Sequence, residues 1–502
     1  MTNSLLNGLK IATNYNRTEN GSVAHKSTLS AIYDMYALGG TYRNRTDEDC
    51  ILLFKNALAE NEELAMKCLF YLRDVRGGGQ GERRFFRVCM NWLANENPQA
   101  VKRNLDQFSE FGRWDDLYCL VGTPVEDDMF AMMYEQLGKD VESLEKENQG
   151  VSLLGKWLKS CNASSKETTR LGNITREAFG LTHKQYRKIL SALRTRINIV
   201  EKLMSENRWD EIEFDKIPSK AGLIYKNAFA RRDMIAQKYA EFMKDTDTKV
   251  NAGTLYPYEV VKEVINHINY YSDNPIRMTD VERAVVNKYW DNLTDYFNGA
   301  TLNALAVVDT SGSMRGTPIN VAISLGMYCA ERAQGPFANH YISFASQPQL
   351  IKVEGVDFVD KVYRIYATNL VDNTNLEAVF DLLLDTAISN NVSQSEIPEN
   401  IIIISDMQID EARSNWYFHR TQTPVNTVME TAREKWATAG YELPHLIYWN
   451  VDARQNTFLD DGENVSYVSG FSSSTFEQIM SGKTGVELML DKLMSDRYSV
   501  IK

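Results

Sequence analysis

The sharpest chemical signal in the chain is Asp309-Thr310-Ser311-Gly312-Ser313, with oxygen-bearing side chains at alternating positions of a short polar run. In a tight loop, Asp309, Ser311 and Ser313 can converge on one point. A carboxylate with two hydroxyls is a hard-oxygen donor set, suited to Mg²⁺ or a similar ion that keeps some of its water. Further on, Ile401-Ile402-Ile403-Ile404 runs directly into Ser405-Asp406 and supplies a second carboxylate. Between them, the polar stretch Asp372-Asn373-Thr374-Asn375 offers Thr374 as a third hydroxyl. Asp309 and Ser311 would also serve as caps for a following helix. The apolar strand before them and the second strand ending in Asp406 favour a metal. The expected ligand set is Asp309, Ser311, Ser313, Thr374 and Asp406, holding one Mg²⁺ or Mn²⁺.

Two basic stretches carry a different chemistry. In the first, Arg73, Arg76, Arg83 and Arg84 surround Gly77-Gly78-Gly79-Gln80-Gly81. No Gly-Lys-Ser/Thr follows, so this is not a nucleotide-binding P-loop. Its backbone N–H groups and arginines could still hold a phosphate; the competing reading is an inter-helix turn with solvated arginines. In the second stretch, Lys156-Trp157-Leu158-Lys159 is followed by Arg170, then His183-Lys184-Gln185-Tyr186-Arg187-Lys188, then Arg194. Cations interleaved with aromatics suit RNA, with Lys and Arg on phosphates and ring faces open to bases. A charged face on an ordinary surface helix would look much the same.

These residues need elements to position them. Residues 26–300 read as helix after helix. Apolar residues from Asp47 to Arg73 recur at helical spacing in two pieces, broken at Glu60-Asn61-Glu62. A further helix is expected from Lys184 to Met204, with its apolar face inward and Lys184, Arg187, Lys188 and Arg194 outward. Helices in series predict an irregular α-solenoid or ring of stacked, HEAT-like pairs. From residue 301 the pattern changes. Strand-like Leu302–Val308, Tyr341–Phe344, Ile401–Ile404 and Leu446–Trp449 alternate with helix-like segments, which predicts a parallel, Rossmann-like sheet covered on both faces. Both Asp309 and Asp406 then fall at the strand C-termini, where open α/β sheets bind ligands. The expected division is an N-terminal arm (1–25), a helical-repeat domain (26–300) and an α/β domain (301–502).

The chain has 502 residues, 43% hydrophobic and 24% charged, which is ample for packed cores and excludes general disorder. A net charge of −12 argues against indiscriminate coating of nucleic acid, but it is unevenly spread. Residues 150–233 carry 17 Lys/Arg against 9 Asp/Glu, and residues 301–502 carry 14 against 25. This asymmetry suggests two parts with different partners. No apolar run reaches membrane-spanning length, and residues 1–26 lack the features of a secretory signal. The six cysteines form no CxxC pair and read as thiols of a reducing compartment.

The metal pattern resembles the metal-ion-dependent adhesion site of von Willebrand factor A domains, whose five positions match Asp309, Ser311, Ser313, Thr374 and Asp406. The resemblance implies that hydroxyls ligate the ion directly, aspartates act largely through water, and one position stays open for a partner's carboxylate. A helical solenoid followed by an A domain resembles the Ro-type proteins, whose helical module is called TROVE. Lys156-Trp157-Leu158-Lys159 and Gly180-Leu181-Thr182-His183-Lys184 fall in that family's order, with Leu181 where the family has tryptophan. The chain is similar over nearly its whole length to a Ro-like family of phages, bacteria and eukaryotes. The shared marks are Thr18-Glu19-Asn20-Gly21, Arg73-Asp74-Val75-Arg76-Gly77, Arg113-Trp114-Asp115-Asp116-Leu117, Pro218-Ser219-Lys220 and Asn251-Ala252-Gly253. These resemblances imply a non-enzymatic, cytoplasmic RNA-binding protein of a bacterial cell or phage-infected host. Its partners would be small structured noncoding or misfolded RNA, single-stranded RNA ends and, through the metal, a protein carboxylate. The alternative is a protein-interaction scaffold that uses the metal site without RNA. No HExxH, GxSxG or Walker A motif points to an enzyme, and one hydroxyl-rich ion lacks the paired carboxylates of a two-metal site.

Overall fold

The computed structural model describes residues 13–146, 150–269, 275–299, 302–344, 347–368, 375–409, 428–460, 462 and 464–502. Helices dominate from Ala31 to Asp291. The break expected at Glu60-Asn61-Glu62 is present: helix Asp47–Glu60 ends and Glu62–Arg73 begins, with the Asn61 side chain accepting from Leu64 N at 3.0 Å as the new N-cap. The expected single helix from Lys184 to Met204 is instead two, His183–Arg196 and Val200–Ser205. Asn198 between them adopts φ 55°, a left-handed conformation that Asn tolerates and a helix cannot continue through.

Before the helices, the arm forms a short antiparallel hairpin, β1 (Tyr15–Arg17) with β2 (Val23–His25). The sheet that follows the helices has six strands: β3 (Ala304–Asp309), β4 (His340–Phe344), β5 (Gln349–Lys352), β6 (Asn400–Ser405), β7 (His445–Asn450) and β8 (Val465–Ser469). Their order is β5-β4-β3-β6-β7-β8. The pairs β3–β4, β3–β6, β6–β7 and β7–β8 are parallel, as expected of strands with apolar, buried centres and polar residues confined largely to their ends. The sheet is nevertheless mixed, because β5 pairs antiparallel to β4 as a largely exposed edge. Val307 pairs with Ile403 and Val308 with Ile404, which brings the ends of β3 and β6 level.

The helical stretch is fastened to the sheet at both its ends. Near its start, Tyr467 N of β8 donates to Tyr33 Oη at 2.8 Å, and Gly40 N donates to Ser469 Oγ at 3.2 Å. Near its end, Trp290 stacks on Phe358 with ring centroids 4.3 Å apart, and Arg283 donates to Asp357 at 2.5 and 2.7 Å. The elements thus close on themselves, and residues of both parts line the space between. No helix among the described residues is long and apolar enough to cross a membrane. All six cysteines are free thiols, with Cys50, Cys68, Cys89 and Cys329 buried and Cys119 and Cys161 partly so.

Candidate functional site

At the sheet edge, β3 ends in Asp309 and β6 runs into Asp406, both fully buried. Asp309 is held from two sides: Ser311 N donates to Oδ1 at 2.9 Å and Ser405 Oγ to Oδ2 at 2.5 Å. The Ser311 and Ser313 hydroxyls lie 3.0 Å apart. Asp406 Oδ1 accepts from Gln408 N at 3.1 Å, whereas its buried Oδ2 has no hydrogen-bond partner among the described residues. Burial first, and then the charge of Asp309, push the Asp406 carboxyl up to about 7. An orphaned carboxylate oxygen beside a second carboxylate and two hydroxyls is a donor set in want of a cation. Among the described residues no group of three His, Cys, Asp or Glu could hold a metal, so hydroxyls must complete any ligand set here. Asp309, Ser311, Ser313 and Asp406 come together at one edge; Thr374 lies outside the described residues.

The basic stretches separate into residues spent on the fold and residues facing open space. Arg73 is buried and donates to Asp116 at 2.7–2.8 Å. Arg76 donates to the carbonyl oxygens of Ser109, Glu110 and Gly112 at 2.6–3.0 Å. Arg84 is paired with Asp47. These three therefore hold the fold, contrary to the expectation of a phosphate-holding arginine loop. The glycines are explained by crowding: a Cβ on Gly79 would lie 2.3 Å from the Tyr71 carbonyl oxygen, and one on Gly77 would meet Arg497 and Asp74. Arg76 and Arg83 are both exposed without an ion-pair partner among the described residues, but Arg76 is tied to the three carbonyl oxygens, which leaves Arg83 as the arginine of the four that faces open space. Arg113, Arg87 and Arg73 lie close enough to it to lower its proton affinity, after burial.

Helix His183–Arg196 builds the second basic surface. Thr182 caps it, with Gln185 returning a bond to Thr182 N at 2.9 Å. Its buried Tyr186, Leu190 and Leu193 pack inward, and Tyr186 Oη donates to the Lys159 carbonyl oxygen at 2.9 Å. Arg194 does not point outward as the helical spacing predicts. It turns inward and donates to Gly155 O at 3.0 Å, Leu158 O at 2.9 Å and Ser160 Oγ at 3.1 Å, pinning the Lys156–Lys159 turn. The pinned turn presents Trp157, whose ring lies 4.0 Å beneath the Arg113 guanidinium. Arg113 is itself held by Asp115 at 2.9 and 3.0 Å.

Trp157 and Arg113 stand where two cavities, about 1110 and 540 Å³, adjoin. Together these are lined by eleven Lys/Arg and three Asp/Glu. His183, Lys184 and Arg187 line the larger cavity and are exposed. Lys156 lines both, and Arg83 the smaller. Lys188 is exposed beside them without lining either cavity, Lys159 leans to Asp115 at 3.7 Å, and exposed Arg170 is paired with Glu167 at 2.7 Å. Linear spacing does not nominate Arg113, Lys202, Lys216 or Lys220 as wall residues, because distant turns bring them in; of these, Arg113 and Lys220 fall in the shared runs Arg113-Trp114-Asp115-Asp116-Leu117 and Pro218-Ser219-Lys220, which are the signals that mark them. The smaller cavity also meets the sheet part at Ser472, Ser473 and Ser474.

Comparison with known proteins gives relatives without assigned roles. The chain is 28% identical over 514 residues to an uncharacterized protein, L728, of Acanthamoeba polyphaga mimivirus, covering 94% of this chain and 85% of that one. The crystal structure of the Deinococcus radiodurans RO (RSR) protein overlays with a TM-score of 0.47 at 14% identity, covering 93% of this chain and 99% of that chain. Residues 303–497 match the model of a domain of unknown function, DUF7788. Residues 18–133 and 127–300 match that of another domain of unknown function, DUF2828, and by this match over more than half its length the chain belongs to the DUF2828 family.

Proposed function

We propose that this is a non-enzymatic RNA-binding protein. Its helical part holds RNA in the basic groove, and its sheet edge holds one Mg²⁺ or Mn²⁺ for docking a partner's carboxylate. One observation carries the RNA reading: a groove lined by eleven Lys/Arg and three Asp/Glu, seven of the cations standing beyond the fold-holding Arg73, Arg76, Arg113 and Arg194, with a tryptophan ring beneath an arginine, in a chain of net charge −12. Concentrating positive charge against the overall balance suits a polyanion, and the ring and guanidinium suit bases. The residues to meet phosphate are Lys156, His183, Lys184, Arg187 and Arg83, with Lys188 at the rim. Arg194 and Arg113 position the floor. The sequence resemblance to Ro-type proteins favours small structured noncoding RNA and single-stranded RNA ends as the ligand class.

At the sheet edge, Asp309, Ser311, Ser313 and Asp406 would hold the ion, with Thr374 as the fifth residue of the set. When bound, the ion supplies a Lewis-acidic position for an incoming carboxylate. Ser405 and the Ser311 amide keep Asp309 oriented toward it.

The test is filter binding of a structured small RNA at two salt concentrations. Binding should fall steeply with salt, because each phosphate contact releases counterions. Lys184→Glu with Arg187→Glu should weaken it by about 2–3 kcal/mol and flatten the salt slope by about two contacts. Salt-independent binding, or no effect of the double variant, would favour a protein scaffold that uses the metal site alone.

A further inference from the structure

We infer that Arg454 is a built-in counter-cation of the acidic sheet edge, which a divalent ion must displace in order to bind. The inference rests on the metal reading above. The loop after β7 carries Arg454 across the edge, where Nη2 donates to the Ser313 carbonyl oxygen and lies 3.7 Å from Asp406 Oδ2. One guanidinium nitrogen therefore reaches from the hydroxyl loop at the end of β3 to the carboxylate at the end of β6. At 3.7 Å it offsets charge without making a hydrogen bond, and the Ser313 hydroxyl nearby also favours the charged carboxylate, while the buried Oδ2 is left without a hydrogen-bond partner among the described residues. A small ion coordinated by that oxygen would satisfy it better, and two cations cannot share the position.

The displaced side chain has somewhere to go. Arg454 is 36% exposed and long enough to swing outward. Two carboxylates outside the site already stand 3.5 Å from it, Glu19 Oε2 from Nη1 and Asp452 Oδ2 from Nε. Glu19 sits in the β1–β2 turn, and this turn is fastened to the same strand end. Glu19 N donates to Gln408 Oε1 at 2.8 Å, Asn20 Nδ2 to Gln408 O at 2.8 Å, and Thr18 Oγ1 to Ile409 O at 2.6 Å. The Thr18-Glu19-Asn20-Gly21 run thereby acquires a role: it holds a receiving carboxylate against Gln408, which lies two residues beyond the metal-side Asp406.

The experiment is calorimetric titration of the chelator-stripped full chain with Mn²⁺, for wild type, Arg454→Gln, Arg454→Lys and Asp309→Ala. Arg454→Gln should bind about 10-fold more tightly, the effect of removing one competing, partly solvated charge. Arg454→Lys should stay within about 3-fold of wild type, because it keeps the cation. Unchanged or weaker binding in Arg454→Gln overturns the inference while leaving the metal reading intact. Absence of binding in both wild type and Arg454→Gln overturns the metal reading and this inference with it. If Arg454→Gln does not fold, the Glu19→Gln, Asp452→Asn double variant decides. It keeps the competing cation and removes its outer partners, so Mn²⁺ binding should weaken several-fold, and unchanged binding overturns the inference.

Discussion

Arg73 and Arg187 share a side-chain type and differ in what surrounds them. Arg73 is buried against Asp116, which also accepts from Arg87 Nε at 2.7 Å and from Arg113 N at 2.8 Å. Replacing Arg73 with Met strands part of a buried carboxylate, so chemical denaturation should show a loss of about 3 kcal/mol, toward the low end for broken buried pairs because two donors remain. Arg187 is exposed, and its reversal should leave the unfolding midpoint unchanged. If the proposed site binds Mg²⁺, the ion should raise the wild-type melting temperature by mass action, and Asp309→Ala should abolish that rise. A Mg²⁺-dependent shift that survives in that variant would reject the site. At this scale the placement of Asp309, Ser311, Ser313 and Asp406 at one edge was legible, because strand-ending carboxylates and alternating hydroxyls declare both type and position. The arginines were not. A run of like charges does not say which members face a carboxylate folded in from 43 residues away, as Asp116 is for Arg73.

Among the elements, buried strands were legible because the centres of β3, β6 and β7 are unbroken apolar runs that need no partner to be recognised. The exposed edge β5 and the three-residue strands β1 and β2 carry no such pattern. The break after Arg196 escaped periodicity because the apolar spacing continues through Ile197 and Val200 while a left-handed Asn198 redirects the backbone. Helix His183–Arg196 and the Lys156–Lys159 turn act as one unit. A Cβ on Gly155 would lie 2.6 Å from Leu193 Cβ, so the turn approaches the helix as closely as glycine allows. Gly155→Val should cost about 1–3 kcal/mol on denaturation and shift Trp157 off its place beneath Arg113. RNA affinity should fall with it, although no charge is altered. Retained stability and affinity would mean the groove floor is not set by this contact.

On the scale of the whole molecule, the helical stretch depends on the sheet at both ends. The Tyr33–Tyr36–Tyr71 ring cluster lies beside β8 and the C-terminal Gln478 and Tyr498, and Gln478 Nε2 donates to Tyr71 Oη at 3.0 Å. A fragment ending at residue 299 would bare this face. It should associate on size-exclusion chromatography and melt below the full chain, and a monodisperse fragment of unchanged stability would show the helical part to be self-sufficient. The charge division between the parts was readable from composition, but their mutual fastening was not, because its first end rests on tyrosines and serines more than 400 residues apart in sequence and its second on the Trp290–Phe358 and Arg283–Asp357 pairs, which no spacing links. The thiols are distributed with a similar asymmetry. Cys50, Cys68, Cys89 and Cys329 are sealed in cores, and burial raises their proton affinity, that of Cys50 to about 11. Cys161 stands in the wall of the larger cavity, close to Trp157 and His183. The wild-type chain thus offers a place for a covalent reporter: with Cys119, the other partly buried thiol, replaced by Ser, a thiol-reactive dye at Cys161 should respond to the proposed RNA entering the groove, with no cysteine introduced and no label on the nucleic acid.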